Sequence, residues 1–140
     1  MKDFNIYLAG GMQNLSFDVS NIWRNNVIKS FKNVYSYSNV KCINPNDYYN
    51  FKEVTYDSQH EVMDFDLYKV RHSDLVIVNF NDVKSIGTAM ELAVAHENGI
   101  PIIGLNEEHN ELHPWESCVC NKIFHNMQKM IRYIADYYLN

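Results

Sequence analysis

Two acidic residues fall where the pattern of the sequence places apolar side chains. Asp66 comes three residues after Met63 and four before Val70, so it shares their apolar face of a predicted helix. A carboxyl group on a buried stripe is costly to ionise, and its pKa tends upward, which is the property that a general acid needs. The alternative is a structural acid whose oxygens are satisfied by a neighbouring loop.

Glu91 lies in the segment GTAMELAVA, in which most neighbours are small or apolar. A helix that begins near Ser85 would put Glu91 in its second turn, where Gly87 and Ala95 leave room beside it. The helix dipole weakly favours the ionised carboxylate at that depth. An ionised carboxylate in a roomy, partly buried site can act as a nucleophile. The alternative is a charged residue at a helix interface.

Two hydroxyl groups could serve the same site. Ser85 lies where a predicted strand gives way to a helix, so its hydroxyl and the nearby amides could hold a ligand hydroxyl or phosphate. A plain N-cap is the alternative, and the two roles can coexist. Tyr7 alternates with Ile6 and Leu8 along a predicted strand and therefore faces the opposite side of the sheet. It could reach a site at the end of that strand, or it could be an ordinary core tyrosine.

Strands that alternate with helices would position these residues. The apolar runs predict strands at residues 4–9, 34–43, 75–80, 101–105 and 122–124. The helical spacing predicts helices at residues 18–32, 58–72 and 86–98, a short one from residue 113 and a last one from residue 127, with a polar loop at residues 47–57.

This alternation predicts a single α/β domain over residues 1–140 with a parallel sheet. Ligands in such sheets bind beyond the carboxyl ends of the strands. The rule points to Gly10, Gly11 and Met12, to the loop from Asn44, and to residues 81–87.

Composition excludes several classes of function. Lys and Arg number 12 and Asp and Glu 17, for a formal charge of −5, and no basic run occurs, which argues against nucleic acid as a partner. No apolar stretch approaches the roughly 20 residues of a membrane span. Three cysteines without a CxxC pair suit a reducing cytoplasm. No metal-ligand spacing, GxGxxG or GxxxxGK[ST] motif is present, so we expect neither a metal nor a cofactor.

Three stretches together resemble the nucleoside 2-deoxyribosyltransferase superfamily, which also contains nucleotide N-glycoside hydrolases. They are IYLAGGM, DFDLYKVRHSDLVIVNF and SIGTAMELAVAHENGIPII, and they cover most of the chain in order. The resemblance implies a flavodoxin-like three-layer sandwich, with a parallel sheet of four to five strands flanked by helices.

The resemblance also implies roles for the residues that match. Glu91 matches the nucleophile, Asp66 the acid that handles the base and Tyr7 the residue that orients the nucleophile, while Ser85 matches the position that holds the 5′ end of the sugar. Gly10, Gly11, Met12 and Gly87 would complete the substrate site. A serine at position 85 is more similar to the members that accept a 5′-monophosphate. The segment AGGMQN, however, lacks the serine and arginine that such members carry in the first loop.

The implied reaction is cleavage of the N-glycosidic bond of a 2′-deoxynucleoside, or of its 5′-monophosphate, through a glycosyl-Glu91 intermediate. Retaining glycosidases divide such a reaction between two carboxyl groups about 5 Å apart. Transfer of the sugar to another nucleobase is the first expectation, and hydrolysis is the second. A nucleotide-sensing module that kept the fold and lost turnover is a third.

Trp115 is a large apolar side chain in a polar stretch. It suits a subunit interface or a stacking surface for a base, whereas the alternative is that it covers its own core. The resemblance implies that residues of a neighbouring chain complete each site. We therefore expect a homo-oligomer, at least a dimer, with a nucleoside or nucleotide and a nucleobase as its small-molecule partners.

Overall fold

Five strands alternate with helices in the computed structural model, which describes residues 1–48 and 56–140. The strands are β1 (Lys2–Gly10), β2 (Ser38–Ile43), β3 (Leu75–Asn79), β4 (Ile102–Leu105) and β5 (Lys122–Phe124). The helices are α1 (Phe17–Lys32), α2 (Gln59–Arg71), α3 (Ile86–Glu97), α4 (Pro114–Val119) and α5 (Met127–Ile134). A 3₁₀ turn at Pro45–Asp47 follows β2, and a π-helical segment at Ala135–Leu139 continues α5. The predicted loop at residues 47–57 falls mostly outside the described residues.

All strand pairs are parallel, and the strand order is β2-β1-β3-β4-β5. The chain therefore adds β2 on one side of β1 and β3 on the other, so the order reverses between β1 and β3. Loops that leave the carboxyl ends of such a pair diverge to opposite faces and open a crevice. The predicted flavodoxin-like α/β fold is confirmed.

Two hydrophobic cores separate the three layers. Ile6 and Leu8 of β1 face the core that α1 and α5 cover. Tyr7 and Ala9 face the other core, which α2, α3 and α4 cover. The strand β3 is buried along its whole length, as expected for a central strand with helices on both faces.

The helix ends follow simple capping chemistry. Each of four helices begins after a polar residue whose side-chain oxygen accepts a backbone N–H of the first turn, namely Ser16, Ser58, Ser85 and Asn126. The predicted N-cap role of Ser85 is confirmed. Gly99 follows α3 with a φ of +68°, the left-handed conformation that glycine adopts without steric cost. Among the described residues, no helix combines the length and the hydropathy that a membrane crossing requires.

Candidate active site

A cavity of about 270 Å³ lies at the carboxyl ends of β1 and β3, where the strand order reverses. The β1–α1 loop, residues 59–67 of α2, the β3–α3 loop and the first two turns of α3 form its walls. Six of the nine predicted site residues line it: Gly10, Met12, Asp66, Ser85, Gly87 and Glu91.

A seventh predicted residue, Tyr7, contacts the cavity through Glu91. Tyr7 is fully buried on the face of β1 that α3 covers, and its hydroxyl donates a short hydrogen bond to Glu91 Oε2. Burial, and then the neighbouring Glu91 carboxylate, raise the pKa of the phenol well above its ordinary value. Tyr7 therefore remains protonated and orients one oxygen of Glu91, which leaves the other oxygen for a ligand.

Glu91 is half-buried in the second turn of α3. The pKa of its carboxyl group is raised to about 8, mainly by burial. The hydrogen bond from Tyr7 partly offsets this rise, the charge of Asp66 adds to it, and the charge of Arg24 slightly offsets it. The sequence predicted a weak bias of the helix dipole toward the ionised form. In the folded chain, burial and a second carboxylate outweigh that bias, because desolvation penalises charge more than a partial dipole one turn away favours it.

Asp66 lies on the side of α2 that faces the cavity and is half-buried. Its neighbour Leu67 and the later Val70 are buried as the apolar stripe predicted, but Met63 is 39% exposed because it lines the open cavity. The charge of Asp66 acts on both Glu91 and Tyr7, so the two acids share one electrostatic environment.

The start of α3 forms one wall of the cavity. The Ser85 hydroxyl oxygen accepts hydrogen bonds from Thr88 N at 3.3 Å and from Thr88 Oγ1 at 2.8 Å. A methyl group added at Gly87 would meet no atom within 4 Å. The first turn of α3 thus offers backbone amides next to open space, an arrangement that suits the hydroxyl or phosphate of a ligand.

The two glycines after β1 have different roles. A Cβ at Gly10 would lie 2.8 Å from Trp23 Cζ2, and a Cβ at Gly11 would lie 2.6 Å from Asp82 Cβ. Gly10 lines the cavity, whereas Gly11 packs against Asp82 and its N–H donates to Asn81 Oδ1 at 3.4 Å. Gly11, predicted to contact substrate, therefore holds the β1–α1 loop against the β3–α3 loop.

Sequence reasoning missed several residues that line the cavity. Asp82 accepts from Asn14 Nδ2 at 3.2 Å and from the backbone N of Lys84 at 3.1 Å, and it ties the two loops together. Asp82 and Lys84 lie within residues 81–87, which the strand-end rule had selected without naming either of them. Gln13 and Met90 also line the cavity and carried no separate signal.

A larger groove of about 960 Å³ adjoins the cavity, and five residues line both of them, namely Met12, Gln13, Gln59, Val62 and Asp66. Phe17, Asn46 and Tyr56 line its other parts. Asp66 therefore lies between a small compartment beside Glu91 and a wider compartment that Phe17 and Tyr56 also line.

Trp115, the ninth predicted residue, lies on α4 and outside both compartments. Its side chain is 79% exposed and contacts the ring of His113 edge-on at 6.1 Å between centroids. It therefore does not cover the core of its own chain. In the part of the chain that the structure describes, no group of three or more His, Cys, Asp or Glu side chains could hold a metal ion.

Comparison with solved structures shows the same architecture in nucleoside-processing enzymes. A 2-deoxyribosyltransferase of Bacillus psychrosaccharolyticus matches with a TM-score of 0.73 at 17% identity, over 92% of this chain and 91% of that one. A 2-desoxiribosyltransferase of Leishmania mexicana matches with a TM-score of 0.68 at 17% identity, over 97% and 99%. A CMP N-glycosidase of Clostridium botulinum matches with a TM-score of 0.59 at 20% identity, over 96% and 99%.

This is the fold of the nucleoside 2-deoxyribosyltransferases. The resemblance inferred from three sequence stretches is therefore confirmed at the level of the fold, from the first strand to the last helix. No protein-family model and no curated protein matches the sequence. At these identities the likeness describes architecture, and the chemistry of this chain must be argued from its own side chains.

Proposed function

We propose that the protein cleaves the N-glycosidic bond of a 2′-deoxynucleoside, or of its 5′-monophosphate, and transfers the deoxyribosyl group to another nucleobase. The hydrogen bond from the buried Tyr7 hydroxyl to Glu91, in a cavity that Asp66 also lines, carries this proposal. The solved structures with this fold include enzymes named for nucleoside glycosyl transfer and cleavage.

In the first step, the free oxygen of the Glu91 carboxylate attacks the anomeric carbon of the sugar. The bond from that carbon to the base nitrogen breaks, its electron pair goes to the base, and Asp66 supplies a proton to the departing base. The product is an ester between the sugar and Glu91, as in a retaining glycosidase. Tyr7 keeps the second carboxylate oxygen in place during the attack.

In the second step, a nitrogen of the acceptor base attacks the anomeric carbon, and Asp66 takes up the proton that this nitrogen loses. The ester bond breaks, and Glu91 returns as a carboxylate. The two compartments match these steps, since the cavity of about 270 Å³ has room for a sugar and the wider groove beyond Asp66 has room for a base.

Hydrolysis of a nucleoside 5′-monophosphate is the second candidate, because the first turn of α3 beside Ser85 suits a phosphate and one structural neighbour is a CMP N-glycosidase. In that reaction, water replaces the acceptor base in the second step, and the sugar phosphate is released.

A substrate panel separates these candidates. Deoxynucleosides and their monophosphates are incubated with and without an acceptor base, and the products are separated by chromatography. A new nucleoside that forms only with the acceptor supports transfer, whereas free base and sugar phosphate without it support hydrolysis. Binding of a nucleotide without base release from any substrate would refute both enzymatic proposals and support a sensor.

A further inference from the structure

Arg24 is an arginine that the mechanism above does not use, and its side chain is completely buried. It belongs to α1, which covers the face of the sheet opposite to Glu91. Arginine is almost never fully buried without compensation, because removing a charge from water is costly. Neither of the ion pairs found among the described residues includes Arg24.

Hydrogen bonds to backbone carbonyl groups offset the cost of burying the guanidinium charge. Arg24 Nε donates to Leu8 O at 3.1 Å and Nη2 donates to Gly10 O at 3.2 Å. Nη1 donates to Ser20 O, one turn earlier in α1. The guanidinium fork is therefore held by acceptors that carry no net charge.

The two β1 carbonyls need these donors because β2 is too short to supply them. β2 pairs with β1 only as far as Tyr7 and Ile43, whereas β1 continues to Gly10. Leu8 and Gly10 are two residues apart, so their carbonyls point to the same edge of β1, where no β2 residue remains to donate. Arg24 supplies the hydrogen-bond donors that β2 does not provide, and it thereby fixes the position of the last residues of β1.

That end of β1 forms part of the cavity wall. Gly10 lines the cavity and accepts from Arg24, and a Cβ at Gly10 would lie only 3.4 Å from Arg24 Nη2. Arg24 thus lies directly behind the backbone that a substrate would contact. Tyr7, three residues earlier on the same strand, donates to Glu91.

The charges around Glu91 come from several elements. Tyr7 of β1 and Arg24 of α1 favour its ionised form, whereas Asp66 of α2 opposes it. Asp82 and Lys84 line the same cavity from the β3–α3 loop. Burial lowers the pKa of Arg24 itself to about 10, although Glu91 raises it, so the guanidinium stays protonated at neutral pH.

We propose that Arg24 is a positioning residue that acts through Glu91. It ties the end of β1 behind the cavity and supplies, from the opposite face of the sheet, a buried positive charge that favours the ionised form of Glu91 beside Asp66. The catalytic consequence rests on the proposed role of Glu91 as a nucleophile. The electrostatic coupling does not depend on that role, since Arg24 donates to Gly10 at the cavity wall and Tyr7 of the same strand donates to Glu91. Among the described residues, the guanidinium contacts three backbone carbonyl oxygens and lies over the ring of Trp23, with Arg24 Cζ 4.7 Å from the ring centroid, and neither ion pair includes it. Its charge is therefore not cancelled by an ion pair in this part of the chain and acts on the cavity.

The test compares Arg24→Gln, which keeps amide donors for the carbonyls and removes the charge, with Arg24→Lys, which keeps the charge. Val27→Ala is the matched control, since Val27 is fully buried on the same helix and uncharged. Each protein is labelled with ¹³C at the glutamate side-chain carboxyl and titrated by NMR, with the Glu91 signal assigned by its loss in Glu91→Gln. An excluded osmolyte in every sample keeps destabilised variants folded.

The ionisation midpoint of Glu91 should move upward by about one to two pH units in Arg24→Gln and stay near the wild-type value in Arg24→Lys and Val27→Ala. An unchanged midpoint in folded Arg24→Gln, or an equal shift in Val27→Ala, would overturn the proposal. The acid limb of the pH profile of kcat/KM should move with the midpoint. If no substrate is turned over, the proposed function fails, and the NMR titration still decides the role of Arg24.

Discussion

Replacing Glu91 by glutamine should make the protein more stable, and only at neutral and alkaline pH. Burial raises the pKa of Glu91 from its ordinary 4.5 to about 8 in the folded chain. A carboxyl whose pKa is higher in the folded state binds its proton more tightly there than in the unfolded chain. The wild-type protein therefore loses stability as the pH rises from about 4.5 to about 8, and the loss is complete above that window.

The size of the effect follows from the two pKa values. They differ by between three and four pH units, and each pH unit corresponds to about 1.4 kcal/mol, so ionisation of Glu91 costs on the order of 5 kcal/mol of folding free energy. Glutamine keeps an oxygen that can accept from Tyr7 and cannot ionise. At pH 9, Glu91→Gln should unfold at a temperature on the order of 10 °C higher than the wild type.

The assay is urea unfolding of both proteins at pH 4, 6, 8 and 9, read by circular dichroism. The difference in unfolding free energy between Glu91→Gln and wild type should be small at pH 4 and grow across the window. Glu97→Gln serves as the control, because Glu97 is exposed on the same helix. The difference in unfolding free energy between Glu97→Gln and wild type should not change with pH. A Glu91→Gln difference that is constant from pH 4 to pH 9 would refute the reasoning.

Four further outcomes are expected. Glu91→Ala should abolish base release while circular dichroism shows an intact fold, and near-normal turnover by this folded variant would exclude the mechanism. In the wild type, a 2-fluoro substrate analogue should leave a covalent sugar on Glu91 that mass spectrometry detects. Asp66→Asn should slow the release of poor leaving bases most, and equal slowing for all bases would make Asp66 a structural residue. The same variant should move the acid limb of the kcat/KM profile to lower pH, because it removes a negative charge that raises the pKa of Glu91. Gly11→Ala should lower the unfolding free energy by about 1 to 3 kcal/mol because its methyl would lie 2.6 Å from a side-chain carbon. Gly87→Ala, in the first turn of α3 with no atom within 4 Å, should instead raise it by up to about 1 kcal/mol, and denaturant titration compares the two. Light scattering should find at least a dimer that Trp115→Ala weakens, because that side chain is 79% exposed; a monomeric, fully active wild type would contradict a shared site.

The sequence predicted the fold well because the signals for it are local. In the part of the chain that the structure describes, alternating apolar runs and helical spacing predicted the five strands and the five α-helices, and the alternation along β1 put Tyr7 on the face that meets α3. The start of β2 was wrong by four residues, at 34 instead of Ser38, because residues before the strand bond to the C-terminus instead of the sheet. Tyr37 N, for example, donates to Leu139 O.

The buried face of α1 was harder to predict. Helical spacing included Val19 and Ile22 in the apolar stripe, yet both are more than half exposed, and the polar Ser20 and Arg24 are buried instead. Arg24 is buried because the end of β1 offers it carbonyl acceptors, and no local pattern reveals a partner that lies 14 to 16 residues away in another element. The pKa of Glu91 could not be predicted for the same reason, since the groups that act on it, Tyr7, Asp66 and Arg24, belong to three other elements.

The described residues that line the cavity and the adjoining groove all lie between Gly10 and Glu91. The segment from β4 to the C-terminus completes the sheet and its outer layer, and it presents Trp115 at the surface. The cavity walls and the exposed Trp115 are thereby encoded in separate parts of one gene. If the site is shared as proposed, a mutant library confined to codons 10–91 should change which substrate is accepted directly, whereas one confined to codons 107–121 should change it only through the association of the chains.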